Sequence, residues 1–342
     1  MGLRLSGNAE RDVDAVAAWL DAHDPGPAIV ETSGSSGAPK RVVLSRDAVL
    51  ASARASAARL GGSGGWLLAL PSSYVAGLNV MVRSLLAGHR PVVLGRRTPR
   101  GAGIAGGYLS LVPTQLHRWL DDAADADALA SFDAVLVGGG PVDRSLKERA
   151  RRAGVRLVAT YGMAETCGGC VYDGVPLDGV GLALATDGRI RLAGPTLFDG
   201  YLDDPAATEE VLVDGWFHTA DAGRLDDDGR LQVLGRVDDV VLSGGVNVPA
   251  TAVAARLREH PGVAAAEVLG VPDPEWGSRV VAVVSLVDPA GTLSLDAARA
   301  WVAEQAPRSW APREVIVVPE LPMLVNGKVD RLAVRSLAGG GR

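Results

Sequence analysis

Short apolar runs alternate with segments of helical periodicity along the first half of the chain. The runs predict buried strands at residues 28–30, 42–44, 66–70, 91–94, 108–112, 134–137 and 155–159. The segments between them predict helices at residues 12–22, 45–60, 78–86 and 113–120, with a further helix after Asp143. Because strand, glycine-containing loop and helix follow one another repeatedly, we expect an α/β fold with a parallel sheet.

The pattern changes after residue 175. Asp-Gly turns at residues 186–189 and 227–230 predict β-hairpins. A polar run at 235–239 indicates a linker, and the chain beyond it has an α+β pattern with helices at 249–259 and 295–305 and strands at 263–271, 280–287 and 314–318. We therefore expect a large domain over residues 1–235 and a small one over 241–342, joined at 236–240.

Composition narrows the partners and the location. The 342 residues allow about two domains, and the apolar fraction of 47 % is enough for a large core. A net charge of −6 argues against nucleic acid as the main partner. The chain has no apolar run long enough for a membrane span and no signal-peptide pattern, so we expect a cytoplasmic protein. Cys167 and Cys170 lack a second cysteine pair for zinc, and we expect them to be small buried residues.

One loop near the start of the chain suits the binding of phosphate. Glycines there let backbone N–H groups approach oxygen atoms, hydroxyl groups add donors, and a lysine supplies a point charge. The alternative is a flexible Ser/Gly turn. The residues concerned are Thr32, Ser33, Gly34, Ser35, Ser36, Gly37 and Lys40.

Two further loops follow strands of the predicted sheet, at 138–141 and 160–166. Ligands of parallel sheets lie at the carboxyl ends of the strands, so we expect these loops and 32–40 to lie together. Tyr161 could stack on a base and Glu165 could hold Mg²⁺, although a buried tyrosine and a solvated glutamate are the alternative.

Three charged residues later in the chain are also candidates. Asp221 and Arg236 could bind ribose hydroxyls or phosphate, or they could be a turn aspartate and a surface arginine. A tight turn at Asn326-Gly327 would present Lys328, which could neutralise charge during phosphoryl or nucleotidyl transfer. A solvated hairpin lysine is the alternative.

The order of these motifs is more informative than any one of them. The run Thr-Ser-Gly-Ser-Ser-Gly-x-Pro-Lys, then Tyr-Gly-Met-x-Glu-Thr, Thr-x-Asp, Gly-Arg-x-Asp-Asp and Pro-x-x-x-x-Gly-Lys-x-x-Arg resembles the adenylate-forming superfamily over nearly all of residues 28–331. Within it, the chain is most similar to the short bacterial o-succinylbenzoate–CoA ligases of menaquinone biosynthesis, through residues 138–141, 161–174, 193–197 and 321–331.

The resemblance implies an adenylating N-terminal domain, a small mobile C-terminal domain and a reaction in two steps. A small-molecule carboxylic acid would react with ATP to give acyl-AMP and pyrophosphate, with Mg²⁺ as cofactor. Coenzyme A would then displace AMP to give a thioester. Rotation about a hinge at Asp238 would exchange Lys328 for the face at residues 243–245 between the steps.

The resemblance also implies roles for individual residues. Lys328, Lys40 and Glu165 would be catalytic, and Glu165 would bind the metal. Nucleotide would be bound by residues 32–37, Lys40 and Lys328, together with Gly138, Gly139, Gly140, Thr160, Tyr161, Gly162, Met163, Thr166, Asp221 and Arg236. The acid would be bound by Ser73, Tyr74, Gly77, Gly139 and Gly168.

Other functions stay open at this point. The chain could be another carboxylate–CoA ligase with an aryl or short-acyl substrate, or an adenylating module that loads a carrier protein. A binding protein with a decayed site is a third possibility, against which the retained Lys40, Glu165, Asp221, Arg236 and Lys328 argue. A homodimer is also left open.

Overall fold

The computed structural model describes residues 2–32, 39–103, 106–324 and 327–339. Strands and helices alternate in its first part, as the hydrophobic pattern predicts. In chain order the elements are β1 (Leu3–Arg4), α1 (Ala9–Asp21), β2 (Ala28–Glu31), β3 (Arg41–Leu44), α2 (Arg46–Leu60), β4 (Trp66–Leu68), α3 (Val75–Leu86), β5 (Val92–Val93), β6 (Tyr108–Leu111), α4 (Pro113–Trp119), α5 (Ala123–Ala130), β7 (Ala134–Val137), α6 (Arg144–Arg152), β8 (Leu157–Met163), β9 (Gly168–Tyr172) and β10 (Val175–Pro176).

A seven-stranded sheet of order β10-β9-β8-β7-β6-β4-β5 forms the centre of this part. Strands β4 to β8 are parallel, and β9 and β10 add an antiparallel edge. Ala134 and Leu136 of β7 face a core shared with α1, α2 and α3, whereas Val135 and Val137 face a core shared with α4, α5 and α6. Because helices cover both faces, β7 is apolar at every position, and the predicted α/β sheet is confirmed.

Local signals define the ends of the helices that were predicted. The hydroxyl of Ser45 accepts the N–H of Ala48 and caps α2, which ends at Gly61 with a φ of +79°. Helix α5 was not predicted because its alanine-rich sequence lacks an apolar stripe, although Asp122 caps it. Helix α3 begins at Val75, three residues before the predicted start.

Two expectations about the loops are wrong. Strands β2 and β3 pair antiparallel in a separate sheet of order β1-β2-β3-β13, so residues 32–40 connect a hairpin and do not follow a strand of the parallel sheet. Thr160 to Met163 lie within β8 itself and not in a loop after it. A short apolar run predicts a strand but does not say which sheet the strand joins.

Antiparallel strands dominate the next part of the chain, and the two predicted Asp-Gly hairpins are confirmed. The elements are β11 (Gly181–Leu184), β12 (Arg189–Ala193), β13 (Gly200–Tyr201), α7 (Pro205–Val211), β14 (Leu212–Val213), β15 (Trp216–Leu225) and β16 (Leu231–Arg236). The first two residues of the predicted linker at 235–239 belong to the end of strand β16.

A turn at Val237–Asp239 leads into the C-terminal part. There the sheet β19-β20-β21 has α8 and α9 on one face and α10 on the other. Each buried apolar cluster of the described residues lies wholly before residue 232 or wholly after residue 240. The elements are β17 (Val240–Ser243), β18 (Val246–Pro249), α8 (Ala250–Arg258), β19 (Val263–Asp273), β20 (Gly277–Leu286), α9 (Leu295–Ala303), β21 (Glu314–Val317) and α10 (Arg331–Gly339).

Two expectations from composition can be compared with the structure. Cys167 and Cys170 are buried free thiols, as predicted. None of the helices in the described ranges has both the length and the apolar character that crossing a membrane requires.

Candidate active site

The carboxyl end of β7 is packed too tightly for a side chain. A Cβ atom at Gly138 would lie 2.3 Å from Thr160 Oγ1 on the neighbouring strand β8. Gly139 has a φ of +75°, and a Cβ atom there would lie 3.2 Å from Lys328 Cε. The predicted residues Gly138, Gly139, Gly140, Thr160 and Lys328 therefore meet at one edge of the sheet.

Lys328 reaches this edge from the C-terminal part through a tight turn. The N–H of Leu324 donates to Lys328 O at 2.7 Å, and the N–H of Gly327 donates to Leu324 O at 2.9 Å. The hydroxyl of Thr114, on α4, donates to Gly327 O at 3.1 Å and docks the turn on the N-terminal part. The turn that the sequence predicts is present at Gly327 and Lys328, and Asn326 lies outside the described residues.

Asp221 and Arg236 are paired by strand register. They are opposite each other in the antiparallel pair β15–β16. The hydroxyl of Tyr161 on β8 donates to Asp221 Oδ2 at 2.9 Å. Burial raises the pKa of Asp221, while the Tyr161 hydrogen bond and the charges of Arg236 and Lys328 oppose that rise. The predicted residues Gly162 and Met163 follow Tyr161 in the same strand.

The ammonium group of Lys328 lies in a poorly solvated place. Burial lowers the pKa of Lys328, and the carboxylates of Asp221 and Glu165 oppose this shift. Lys328 is therefore near enough for both carboxylates to act on its charge, although it is 163 positions from Glu165 in the chain. A positive charge held in this way is preorganised for a reaction in which negative charge develops.

Glu165 is presented by a short turn, Ala164–Thr166, between β8 and β9. The hydroxyl of Thr166 accepts the N–H of Met163 at 2.9 Å and donates to Gly168 O at 2.8 Å, which closes the turn. Thr166 is completely buried. Its contacts give it a structural role in orienting Glu165, and its predicted contact with nucleotide stays a prediction.

The two ends of the phosphate-loop candidate are joined to each other. The N–H of Thr32 donates to Lys40 O at 2.9 Å, and the N–H of Lys40 donates to Thr32 Oγ1 at 3.0 Å. Lys40 Nζ lies 4.4 Å from the ring centroid of Tyr201, whose hydroxyl donates to Glu165 Oε1 at 2.8 Å. The middle of the loop, with Ser33, Gly34, Ser35, Ser36 and Gly37, lies outside the described residues.

Four of the five predicted acid-binding residues lie on two segments that touch, and the fifth, Gly139, lies beside Lys328 at the end of β7. Gly77 is in the first turn of α3, where a Cβ atom would lie 2.2 Å from Pro71 O. The side-chain amide of Asn79 donates to Cys167 O at 2.7 Å, and a Cβ atom at Gly168 would lie 2.3 Å from the same amide nitrogen. These segments therefore form one wall, which carries Ser73, Tyr74, Gly77 and Gly168.

The sequence analysis missed Arg83 on α3. Its side chain is 8 % exposed, lies 5.3 Å from the ring centroid of Trp66, and has an Nε atom without a hydrogen-bond partner in the described residues. Burial raises the pKa of the Cys167 thiol to about 12, and the charge of Arg83, one helical turn after Asn79, opposes the rise. One arginine in an otherwise largely apolar helix was the available signal.

The described residues do not form a dedicated metal cage. No group of three or more His, Cys, Asp or Glu in that part of the chain could hold a metal ion. Mg²⁺ usually keeps several water ligands and is held by one or two carboxylates together with substrate phosphates. The single carboxylate of Glu165 beside Lys328 fits a metal ion that arrives with a polyphosphate.

Comparison with known proteins agrees with this geometry. The model of the AMP-binding enzyme family matches residues 6–196, and that of the AMP-binding enzyme C-terminal domain matches residues 252–328. A probable 2-succinylbenzoate–CoA ligase of Mycobacterium tuberculosis (strain ATCC 25618 / H37Rv) is 46 % identical over 324 residues, which cover 91 % of this chain and 84 % of that protein.

Solved structures share the architecture. The o-succinylbenzoate CoA synthetase MenE from Bacillus subtilis, in complex with the acyl-adenylate intermediate OSB-AMP, has a TM-score of 0.77 and 28 % identity over 90 % of this chain and 68 % of its own. In complex with ATP and magnesium ion, that enzyme matches with the same TM-score of 0.77, 29 % identity, and coverage of 89 % and 69 %.

ATP-bound MatB from Rhodopseudomonas palustris has a TM-score of 0.81 and 26 % identity over 91 % of this chain and 67 % of its own. Two family models in the predicted order and the shared architecture confirm the adenylate-forming fold. The chain belongs to the AMP-binding family of adenylate-forming enzymes.

Proposed function

We propose that this chain is an ATP-dependent o-succinylbenzoate–CoA ligase (2-succinylbenzoate–CoA ligase) of menaquinone biosynthesis. The observation that carries the chemistry is the position of Lys328 beside Gly139, where the charges of Asp221 and Glu165 act on its ammonium group. A lysine from the C-terminal part thus lies where carboxylate and nucleotide would meet. The name borne by the M. tuberculosis relative supports the choice of acid.

In the first step, a carboxylate oxygen of the acid attacks the α-phosphorus of ATP, and the bond to the β-phosphate breaks to release pyrophosphate. Lys328 would bridge the carboxylate and the α-phosphate, and Lys40 with the loop 32–37 would hold the β- and γ-phosphates. Mg²⁺ held through Glu165 would neutralise phosphate charge. Asp221 and Arg236 would bind the ribose hydroxyls.

The adenine would lie between Tyr161 and the backbone of residues 138–140. Because Gly138 and Gly139 have no side chains, Thr160 and Lys328 pack directly against this sheet edge, beside which the adenine would lie. The hydrogen bond from Tyr161 to Asp221 links the adenine side of the site to the ribose side. These contacts serve binding and orientation, which can lower the barrier to nucleotidyl transfer substantially.

In the second step, the sulfur of CoA attacks the acyl carbon, its proton passes to solvent, and AMP leaves. We propose that residues 236–240 with Asp238 act as a hinge between residues 1–235 and 241–342. Rotation would withdraw Lys328 and bring in the β17–β18 turn, where Gly244 and Gly245 have φ values of +58° and +79°. Closure for each half-reaction in turn excludes water from the acyl-adenylate.

The acid would be selected at the wall that carries Ser73, Tyr74, Gly77 and Gly168. o-Succinylbenzoate has a succinyl carboxylate, which reacts, and a carboxylate on its ring, which must be accommodated. Among the ion pairs of the described residues, none involves Arg83, and a buried charge of this kind is costly without a counter-charge. We propose that the ring carboxylate pairs with Arg83.

A substrate panel tests the function directly. The purified chain is given ATP, Mg²⁺ and CoA with o-succinylbenzoate, benzoate, succinate, a fatty acid or an amino acid, and pyrophosphate and thioester are measured. We expect both products with o-succinylbenzoate. Thioester from a fatty or amino acid and none from o-succinylbenzoate would refute the acid, and lack of any ATP turnover would favour a binding protein.

Two remaining alternatives give distinct results in the same assay. Preference for benzoate or succinate would indicate another aryl or short-acyl CoA ligase. Pyrophosphate release without thioester would indicate an adenylating module for a carrier protein. We place the reaction in the cytoplasm because its proposed substrates ATP and CoA are available there.

A further inference from the structure

We propose that Tyr201 is a positioning residue that couples the phosphate-binding lysine to the metal-binding carboxylate. This inference rests on the proposed function, in which Lys40 holds phosphate and Glu165 holds Mg²⁺. The sequence analysis did not single out Tyr201. It lies in β13, a strand of two residues, far in the chain from both partners.

Strand pairing fixes Tyr201 next to the exit of the phosphate loop. Tyr201 is opposite Val42 in the antiparallel pair β13–β3, and β3 begins directly after Lys40. The ring of Phe198 packs edge-on against Tyr201 with 5.0 Å between the centroids. The N–H of Phe198 also donates to the backbone Glu165 O at 3.0 Å, so the same segment holds the backbone that carries the carboxylate.

The two ends of the Tyr201 side chain contact groups of opposite charge. Lys40 Nζ lies 4.4 Å from the ring centroid, where the negative face of the ring attracts an ammonium group. The hydroxyl donates to Glu165 Oε1 at 2.8 Å, in a place where Glu165 is 8 % exposed. A tyrosine hydroxyl is protonated near neutral pH, so it acts as the donor to the carboxylate in this pair.

This arrangement orients both groups before nucleotide binds. An ionised carboxylate has about four lone-pair sites, so the Tyr201 hydrogen bond holds Glu165 and leaves sites for a metal. The face of the ring holds the ammonium of Lys40, and the hydroxyl holds the carboxylate of Glu165. Groups that hydrogen-bond to a metal ligand typically change metal affinity by about 10- to 100-fold when they are removed.

Tyr201→Phe tests the hydroxyl, because it removes the bond to Glu165 and keeps the ring under Lys40. ATP binding is measured by calorimetry with and without Mg²⁺, which requires no acid and no turnover. We expect Tyr201→Phe to bind ATP without Mg²⁺ as the wild type does, while the gain in affinity from Mg²⁺ falls at least about tenfold. Tyr201→Leu, if it folds, should weaken ATP binding without Mg²⁺ as well.

Tyr172→Phe is the matched control. Tyr172 is also buried, and its hydroxyl lies 2.8 Å from Ser56 Oγ, so this variant loses a buried hydrogen bond elsewhere. We expect it to keep the full Mg²⁺ effect. A wild-type Mg²⁺ effect in Tyr201→Phe, or an equal loss in Tyr172→Phe, would overturn the inference.

The outcomes separate this inference from the proposed function. If the wild type binds no ATP, both are overturned. If the wild type binds ATP with Mg²⁺ and forms the thioester while Tyr201→Phe keeps the full Mg²⁺ effect, the proposed function stands and the role of Tyr201 is rejected.

Discussion

The proposed nucleotide side and the proposed acid side of the site are built differently. On the nucleotide side, polar groups contact one another: Tyr161 binds Asp221, and Tyr201 binds Glu165. On the acid side, Arg83 is buried in an apolar helix, and its Nε has no hydrogen-bond partner in the described residues. The first side is preorganised by its own hydrogen bonds, whereas the second has a buried positive charge for which we propose a substrate carboxylate as the partner.

This difference separates chemistry from specificity. The same ATP is bound in every turnover, so polar groups that are already oriented do not need to reorganise when the reaction occurs. A buried cation discriminates between acids, because only an acid with a second carboxylate offsets the cost of keeping it charged. The variants below test whether a substitution on one side changes the adenylation rate or the KM for one substrate without changing the KM for the other.

The largest effect is expected for Lys328→Ala. Loss of this ammonium should lower adenylation by about 10³-fold, because its charge stabilises the transition state of the first step. Thioester formation from supplied acyl-AMP should change only a few-fold. ATP–pyrophosphate exchange and thioester release measure the two steps, and equal losses in both would reject the assigned role.

Lys147→Ala provides the control for that variant. Lys147 is an exposed lysine on α6. Its removal should leave both half-reactions at the wild-type rate.

A smaller effect on the same step is expected for Arg331→Gln. Arg331 donates to both oxygens of Asp239 at 2.6 and 2.7 Å, and its Nε lies 3.0 Å from Glu267 Oε1. It thereby ties the Lys328 turn to the turn at Val237–Asp239. Breaking these partly buried pairs should lower adenylation by about 10- to 100-fold.

The KM for the acid should stay unchanged in Arg331→Gln, since the acid side is untouched. Arg335→Gln, at an exposed position of the same helix, is the control and should change neither the adenylation rate nor the KM for the acid. A raised KM for the acid with an unchanged adenylation rate would show that Arg331 acts elsewhere.

On the acid side, Asp12→Asn should raise the KM for the acid by about tenfold or less and leave the KM for ATP unchanged. The buried Asp12 carboxylate accepts the hydroxyl of Ser72 at 2.5 Å and backbone N–H groups of Ser6 and Gly7 at 2.7 and 2.9 Å. It thus fixes the start of the segment that carries Ser73. An amide has one acceptor oxygen and cannot keep these bonds.

Asp14→Asn is the matched control for Asp12→Asn. Asp14 lies on the same helix and pairs with Arg90 at the surface, where an ion pair contributes at most about 1 kcal/mol. A parallel rise of the KM for ATP in Asp12→Asn would mean that the two sides are coupled.

The smallest effect concerns pH. Burial lowers the pKa of Lys328, and a lysine loses its proton as pH rises through its pKa. Adenylation should therefore decline on the alkaline side at a pH below the ordinary lysine value of about 10.4. Thioester formation from supplied acyl-AMP should lack this limb, and an adenylation rate that is flat up to the ordinary value would contradict a buried, charged Lys328.

Local signals made much of the fold predictable. The cap at Ser45, the glycine at Gly61 and the apolar strand β7 act through neighbours in the chain, so the sequence shows them directly. The glycines at 138 and 139 and the turn that presents Lys328 were recognisable for the same reason. Their meeting at one sheet edge followed from the parallel α/β pattern and the resemblance.

Contacts between distant segments were not predictable in this way. Tyr201 reaches Lys40 and Glu165 only because β13 pairs with β3, and two residues of strand give no periodic signal. Residues 32–40 connect two antiparallel strands only because β2 pairs with β3, and the sequence does not show which strand β2 pairs with. Arg83 was visible as one cation among apolar residues, but its burial depends on how α3 packs.

The selection of the acid by Arg83 is tested most directly with a matched pair of substrates. Thioester formation is measured for o-succinylbenzoate and for 4-oxo-4-phenylbutanoate, which lacks only the ring carboxylate, with the wild type and Arg83→Leu. We predict that the wild type prefers o-succinylbenzoate in kcat/KM by about 10- to 100-fold and that Arg83→Leu loses this preference. An undiminished preference in Arg83→Leu, or none in the wild type, would contradict the account.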